Sequence, residues 1–151
     1  MPVRPSRAIV SLGSNVDPRQ TYLDRALAAL SALPGTRCTG ASSVIETNPV
    51  DIPPEFADMK FLNQAAIFET SLDVRDFSRR MHAIEDGLGR VRTVRNGPRT
   101  IDLDLIDFGG AVMDDPDLTL PHPRAAARDF VLRPLAELGF TIVGGVVCRK
   151  E

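Results

Sequence analysis

The stretch RNGPRTIDLDLIDFGG (residues 95–110) contains the strand on which the predicted fold and site depend. Residues 100–108 are predicted to form a strand, because apolar residues alternate with polar ones and two glycines follow. Successive side chains of a strand point to opposite faces, so Asp102 and Asp104 share one face and the apolar residues share the other. Asp is disfavoured in strands and is costly to bury unpaired, so two acids in register need an explanation.

A metal platform is one explanation for the two acids. The positions of Asp102 and Asp104 lie about 6.5–7 Å apart along a strand, so both carboxylates can converge on one cation or on a pair about 4 Å apart. Carboxylate oxygens suit Mg²⁺, which keeps several waters and takes further ligands from substrate phosphates. The alternative is a pair of solvated acids on an exposed sheet face.

Arginines precede these acids and favour the metal interpretation. Four arginines and no acid lie in residues 90–99. Carboxylates for a metal beside arginines for phosphate oxygens are what phosphoryl transfer needs. His122, followed by Arg124 and Arg128, can donate to a phosphate, or it can be a packed turn residue. The sequence has no GxxxxGK[ST], which excludes a P-loop, and no HRD…DFG set, since no HRD precedes the DFG of residues 107–109, which excludes a protein kinase.

The order of predicted elements is β-α-β-β-α-β, which is a ferredoxin-like α+β fold. We expect a mainly antiparallel sheet with two helices on one face, the other face open to ligands, and a C-terminal helical addition. Residues 1–151 form one domain, in which residues 1–6 are a loose tail. The predicted elements are strand 8–12, a helix capped by Asp17, strand 36–47, loop 48–60, strand 61–70, a helix opened by Asp73, strand 100–108, helix 130–138 and an edge strand in 141–148.

The composition and net charge limit the classes of partner that we expect this chain to bind. Of 151 residues, 43% are hydrophobic and 25% are charged, as in ordinary globular proteins, and the net charge of −2 gives no reason to expect nucleic acid or a membrane as partner. Cys38 and Cys148 are isolated and are interpreted as reduced thiols. No apolar run is long enough for a signal peptide or a transmembrane segment, so we expect a cytoplasmic protein. We also expect a monomer.

Six motifs then occur in the order found in a known family. The chain resembles the 6-hydroxymethyl-7,8-dihydropterin pyrophosphokinases, and the pair GPRTIDLDL and PHPR…R.FVL.PL is highly specific for them. The motifs are SLGSN (11–15), ETNPV (46–50), FLNQA (61–65), IEDGLGRVR (84–92), GPRTIDLDL (97–105) and LPHPRAAARDFVLRPL (120–135).

The resemblance implies transfer of pyrophosphate from ATP to the hydroxymethyl group of the pterin, with release of AMP. It implies two Mg²⁺ ions held by Asp102 and Asp104, and catalytic roles for Arg90, Arg92 and Asp104. The residues that it assigns to ATP are Glu85, Arg92, Arg99, His122 and Arg128. Those that it assigns to the pterin are Thr47, Val50, Phe61, Asn63 and Phe130.

The pterin assignments also make physical sense, because a flat heteroaromatic ring needs aromatic faces and a few fixed hydrogen-bonding groups at its edge. The alternatives are core packing for Phe61 and Phe130 and a solvated polar residue for Asn63. His82, in the middle of the second helix, is interpreted as a solvated surface residue.

Two positions depart from the family pattern. Asn96 stands where many members have Trp, so an aromatic lid is absent or supplied by another residue, and Pro123 stands where some have Tyr. We expect the loops 48–60 and 90–97 to be mobile without ligand and to order when both substrates bind.

Two rival functions remain at this point. One is another Mg²⁺-dependent nucleotide phosphoryl transferase or hydrolase. The other is a ferredoxin-like module that binds single-stranded RNA through sheet aromatics, which the aromatic content of 5% and the negative charge disfavour.

Overall fold

The computed structural model describes residues 4–49, 54–89 and 100–150. Its main sheet has the strand order β2-β4-β1-β5, with β3 also paired to β4, and all its pairings are antiparallel. This order confirms the predicted ferredoxin-like arrangement. The five strands are β1 (Ser6–Ser14), β2 (Thr36–Ala41), β3 (Ile45–Thr47), β4 (Phe61–Thr70) and β5 (Asp102–Phe108).

Two helices, α1 (Arg19–Ser31) and α2 (Val74–Gly87), pack on one face of this sheet. Their contacts are made by residues at helical spacing, as predicted, and Phe77 of α2 is fully buried between the rings of Phe68 and Phe108. Burying an aromatic or a large aliphatic side chain contributes about 1.5–3 kcal/mol. The core on this face therefore holds β5 flat against α2 and fixes which of its residues face away.

The two helices begin differently. Asp73 caps α2 as predicted, because its carboxylate accepts the Asp76 N–H at 2.8 Å, an interaction worth about 1 kcal/mol. The predicted cap of α1 at Asp17 is wrong. The N-cap is Pro18, no side chain caps the helix, and the Asp17 carboxylate instead lies 3.5 Å from the Arg19 guanidinium.

The second face of the sheet is only partly open, which differs from the prediction. Helix α3 (Asp129–Glu137) covers one end of it, together with a hairpin of β8 (Phe140–Val143) and β9 (Val146–Arg149). The predicted edge strand in 141–148 is therefore wrong, because Gly144 and Gly145 have positive φ and turn the chain back on itself. The buried residues of this second cluster are Ile9, Ala65, Ile67, Ile106, Ala125, Val131, Leu135 and Phe140.

The predicted strand 36–47 is broken in two at Ser42, which is buried. The Ser42 hydroxyl accepts the Ala65 N–H at 2.9 Å, and the Ser42 carbonyl accepts from the Gln64 side-chain amide at 2.8 Å. The Ser42 side chain thus replaces one backbone hydrogen bond of the ladder with β4, and the regular pairing with β4 resumes in β3.

Three smaller differences concern the rest of the chain. Ser6 pairs with Thr70 and is the first residue of β1, whereas the prediction placed it at the end of the loose tail. A hairpin of β6 (Met113–Asp115) and β7 (Leu118–Leu120) was not predicted, and Asp115 forms an ion pair with Arg75 of α2. None of the helices in the described ranges is long and apolar enough to cross a membrane.

Candidate active site

Asn63, Asp102 and Asp104 lie on the sheet face that α1 and α2 leave uncovered. Gly13 of β1 pairs with Asn63 of β4 on one side and with Asp102 of β5 on the other. Ser11, two residues earlier, pairs with Asp104. Residues paired across a ladder point to the same face, so the predicted pterin and metal residues face the same space across β1.

The acids of β5 lie as the alternation of the strand predicts. Leu103 is almost fully buried in the core shared with α1 and α2, while Asp102 and Asp104 are half-buried on the opposite face. The structure therefore confirms that the two carboxylates share a face, which is what a joint metal site requires.

Among the residues that the structure describes, His122 and Arg128 stand beside Asp104. The His122 Nε2 lies 3.8 Å from one carboxylate oxygen, and the Arg128 Nη1 lies 3.9 Å from the other. Both distances exceed that of a hydrogen bond, so Arg128 attracts the carboxylate by charge, and neither group is hydrogen-bonded to it in this geometry. His122, Arg128 and Asp104 thus surround a space that an anionic ligand can enter.

The protonation of His122 follows from its surroundings. Its Nδ1 accepts the Arg124 N–H at 3.2 Å, so in the neutral ring the proton is assigned to Nε2, which faces Asp104. Burial lowers the pKa of His122, and the charges of Arg128 and Arg124 lower it further. At neutral pH the ring is therefore a neutral donor that points into the site.

On the other side of β1, the predicted pterin residues form a compact group. Asn63 is only 3% exposed, so it is not a solvated strand residue, and its Nδ2 donates to the Thr47 hydroxyl. Gly13 permits this packing, because a Cβ at that position would lie 3.0 Å from the Asn63 Oδ1 and 3.6 Å from the Phe61 ring. Any side chain at this position would therefore displace the Asn63 amide by a few tenths of an ångström.

The two predicted ring-stacking residues are neither fully buried nor fully exposed. Phe61 begins β4 opposite Thr47, and Phe130 lies in the first turn of α3, where the Arg128 guanidinium stands 5.6 Å from its ring centroid. Both rings are partly exposed, and Phe130 also packs against the second core cluster, so core packing explains part of its position.

Glu85, a predicted ATP contact, lies on α2 behind the edge of β5. It is 1% exposed, and its Oε2 accepts the Leu103 N–H at 2.8 Å, between the two acids of β5. Its Oε1 lies 2.8 Å from the His82 Nδ1. His82 is exposed, as predicted for a surface residue, and the structure adds its contact with the buried Glu85 carboxylate.

A cleft of about 190 Å³ lies between α2, β5 and β7, and the sequence did not predict it. Asp104 and His122 are part of its wall, so the cleft opens onto the acids. The only sequence signal was the apolar run before His122, which forms β7. The other lining residues are Ser78, Met81, His82, Leu103, Leu105, Asp117, Leu118, Thr119 and Pro123.

Comparison with known proteins agrees with this geometry. The family model described as 7,8-dihydro-6-hydroxymethylpterin-pyrophosphokinase (HPPK) matches residues 9–139. The chain belongs to the HPPK family. It is 42% identical over 131 residues to the 2-amino-4-hydroxy-6-hydroxymethyldihydropteridine pyrophosphokinase of Bacillus subtilis, a match that covers 87% of this chain and 77% of the relative. The corresponding Pseudomonas aeruginosa protein is 39% identical over 132 residues, covering 87% and 80%.

Solved structures give the same fold at lower identity. A Plasmodium falciparum HPPK-DHPS chain superposes with a TM-score of 0.65 at 13% identity, which covers 89% of this chain and 41% of that one. This chain thus spans about two fifths of the longer HPPK-DHPS chain. As a member of the HPPK family, it is an ATP-dependent diphosphotransferase of folate biosynthesis, which favours the enzyme over the RNA-binding alternative.

Several HPPK-type predictions fall outside the described residues. They are the catalytic and phosphate-binding roles of Arg90, Arg92 and Arg99, the pterin contact at Val50, the missing aromatic at Asn96, and most of the predicted loop motion. In residues 4–49, 54–89 and 100–150, no group of three or more His, Cys, Asp or Glu side chains is arranged to hold a metal. Two adjacent carboxylates still fit Mg²⁺, whose remaining ligands come from water and phosphate oxygens.

Proposed function

We propose that this chain transfers pyrophosphate from ATP to 6-hydroxymethyl-7,8-dihydropterin across β1, with the pterin over β4 and the phosphates over β5. This proposal depends on one observation. On the open face of the sheet, Gly13 of β1 lies between Asn63 of β4 and Asp102 of β5. Neighbouring strands lie about 4.8 Å apart, so β4 and β5 are roughly 9.6 Å apart. A pterin hydroxymethyl group directed across Gly13 reaches toward phosphates held above the acids.

At the phosphate end, Asp102 and Asp104 would hold Mg²⁺. When bound, the ions supply neutralisation of the charge on the phosphate oxygens. The neutral His122 donates from Nε2 to a phosphate oxygen, and Arg128 contributes a charge-assisted hydrogen bond. Arg90, Arg92 and Arg99 complete this end as predicted from the sequence.

The nucleotide base and ribose would lie in the cleft beside Asp104. Met81, Leu105 and Leu118 give it apolar walls, while Thr119 and His82 place polar groups at its rim. Glu85 then acts on ATP indirectly, because it orients His82 and the backbone of Leu103.

At the pterin end, Asn63 and Thr47 would hydrogen-bond the edge of the ring, and Phe61 and Phe130 would stack on its faces. The hydroxyl oxygen of the bound pterin then attacks the β-phosphorus of ATP. A bond forms between this oxygen and the β-phosphorus, the bond from the β-phosphorus to the bridging α,β-oxygen breaks, and AMP leaves with that oxygen. The hydroxyl proton is released in the same reaction.

The test is AMP release from ATP in the presence of Mg²⁺, measured with and without the hydroxymethyl dihydropterin. We expect AMP and pterin diphosphate to appear together and only when the pterin is present. AMP or ADP formed equally without the pterin would point to a nucleotide hydrolase, and no AMP at all would overturn the proposal.

The predicted cytoplasmic location and monomeric state stay predictions from the sequence, as does the expectation that the chain contacts neither nucleic acid nor a membrane. Size-exclusion chromatography with light scattering tests the monomer directly. Free Cys38 and Cys148 agree with a reducing compartment but do not by themselves identify one.

A further inference from the structure

Arg19, the first residue of α1, makes long-range contacts that no role described so far explains. Its Nη2 lies 2.9 Å from the Glu46 carboxylate, and its Nη1 donates to the Lys60 carbonyl at 3.1 Å. The Arg19 side chain is 24% exposed, whereas that of Glu46 is 46% exposed, so the guanidinium is half-buried and its contacts lie at the surface. A single guanidinium therefore joins α1 to two other parts of the chain.

The two partners of Arg19 sit directly before two predicted pterin residues. Glu46 precedes Thr47 in β3, and Lys60 precedes Phe61 in β4. Thr47 and Phe61 are themselves paired across the β3–β4 ladder, at its end. Arg19 thus contacts both strands at the place where their hydrogen-bonded ladder stops.

Helix stability does not explain a cation at this position. The N-terminus of a helix carries partial positive charge, so an arginine in its first turn is unfavourable there. Asp17, 3.5 Å from the Arg19 Nε, offsets part of this charge. The unfavourable charge at the helix N-terminus is offset by the contacts that the guanidinium, at the far end of the side chain, makes with Glu46 and Lys60.

We propose that Arg19 is a positioning residue of the pterin site, which holds Thr47 and Phe61 in register without touching the substrate. Strand β3 has only three residues, so its end needs support from outside the ladder. The planar guanidinium can bond a carboxylate and a carbonyl at once through different nitrogens, whereas a lysine reaches one of them as a point charge. This proposal depends on the assignment of the pterin to Thr47, Asn63 and Phe61.

The test compares three variants by steady-state kinetics with both substrates varied. Arg19→Gln should raise the KM for the pterin about tenfold, as expected for loss of charge-assisted hydrogen bonds, while the KM for ATP changes less than about twofold. Arg19→Lys should fall between this variant and the wild type. Arg25→Gln, at an exposed position of the same helix, is the matched control and should leave both constants unchanged.

A coupled variant strengthens the test. Glu46→Gln should raise the pterin KM as well, and the Arg19→Gln, Glu46→Gln double variant should be little worse than Arg19→Gln alone, because Arg19→Gln already removes the contact with Glu46. Equal increases of the two KM values, or no increase, would overturn the positioning role. If Arg19→Gln does not fold, Arg19→Lys and Glu46→Gln decide the question in the same way.

Failure of this inference can be told apart from failure of the pterin assignment. Asn63→Ala should raise the pterin KM strongly if the assignment is right. A pterin KM that responds to Asn63→Ala but not to Arg19→Gln rejects only the role of Arg19. A pterin KM that responds to neither variant rejects both the assignment and the role that rests on it.

Discussion

The two ends of the site, on either side of β1, are built in opposite ways. At the pterin end, Asn63 is buried and already donates to Thr47, so its polar groups are fixed before any ligand arrives. At the phosphate end, His122 and Arg128 stand 3.8 and 3.9 Å from Asp104, near enough for attraction and too far for a hydrogen bond.

This difference matches the two ligands. A rigid neutral ring gains affinity from groups that are already in place, because little ordering remains to be done on binding. A polyphosphate with its metal ions instead needs charges that can turn from a carboxylate to the incoming oxygens. We therefore expect substitutions at the phosphate end to change kcat, and substitutions at the pterin end to change the KM for the pterin.

The largest expected effect comes from Asp104→Asn. This change removes one carboxylate of the proposed Mg²⁺ site and keeps the shape of the side chain, so we expect kcat to fall on the order of 10²–10³-fold, as for loss of one key electrostatic group. Pterin-dependent AMP release measures the loss, and the far-UV circular dichroism spectrum should be unchanged.

Asp114→Asn, an exposed acid of the β6–β7 hairpin, is the control and should retain full activity. If Asp104→Asn raised the pterin KM as much as it lowered kcat, the separation of the two ends would be broken. A loss of the folded spectrum would assign Asp104 a structural role instead.

The next effect concerns Gly13, on the boundary between the ends. An alanine Cβ would lie 3.0 Å from the Asn63 Oδ1, so the amide has to move by a few tenths of an ångström. We expect the pterin KM to rise roughly tenfold, because small misplacements of positioning groups are costly, while the ATP KM is unchanged. Gly40→Ala is the matched control, since its Cβ would meet Leu138 at an ordinary 3.7 Å.

An equal rise of both KM values in Gly13→Ala would show that β1 supports the two ends together rather than dividing them. Binding of the pterin alone, measured by calorimetry, should reproduce the kinetic difference if KM reports affinity.

The smallest expected effect concerns stability, and it comes from a buried acid of β5. Asp107, the third acid of this strand, is 3% exposed, and burial raises its pKa despite the hydrogen bonds from Gly110 and Phe108 and the nearby charge of Arg7. A raised pKa adds stability that is complete below the ordinary value of 3.8 and is lost as the pH rises through the folded-state pKa.

Asp107→Asn does not titrate, so its stability relative to the wild type should increase as the pH rises through that window, and its kcat should equal that of the wild type. Urea denaturation at several pH values between acid and neutral measures the trend. A stability difference that is independent of pH, or one that falls as the pH rises, would contradict the effect of burial on Asp107.

The sequence predicted the features that depend on local patterns. Strand Phe61–Thr70 has the predicted bounds, α2 begins where Asp73 caps it, and the alternation in β5 places Asp102 and Asp104 on one face. Each of these follows from periodicity or from contacts a few residues apart.

The sequence did not predict features that depend on distant partners. Ser42 breaks its strand by bonding Ala65, Glu85 reaches Leu103 from another element, and Arg19 reaches Lys60 across 41 positions. No local pattern contains such pairs. The sequence did not predict the cleft beside Asp104 for the same reason, because α2, β5 and β7 form it jointly.

The bond from the Leu103 N–H to Glu85 has a consequence for self-association. Strand β5 is an edge of the main sheet, and unpaired edge groups are templates on which another chain can add a strand. The buried carboxylate occupies one such donor, and the His122 N–H occupies the Ile106 carbonyl at 3.0 Å. The same contacts that set the acids in place therefore also protect this edge of the protein against aggregation.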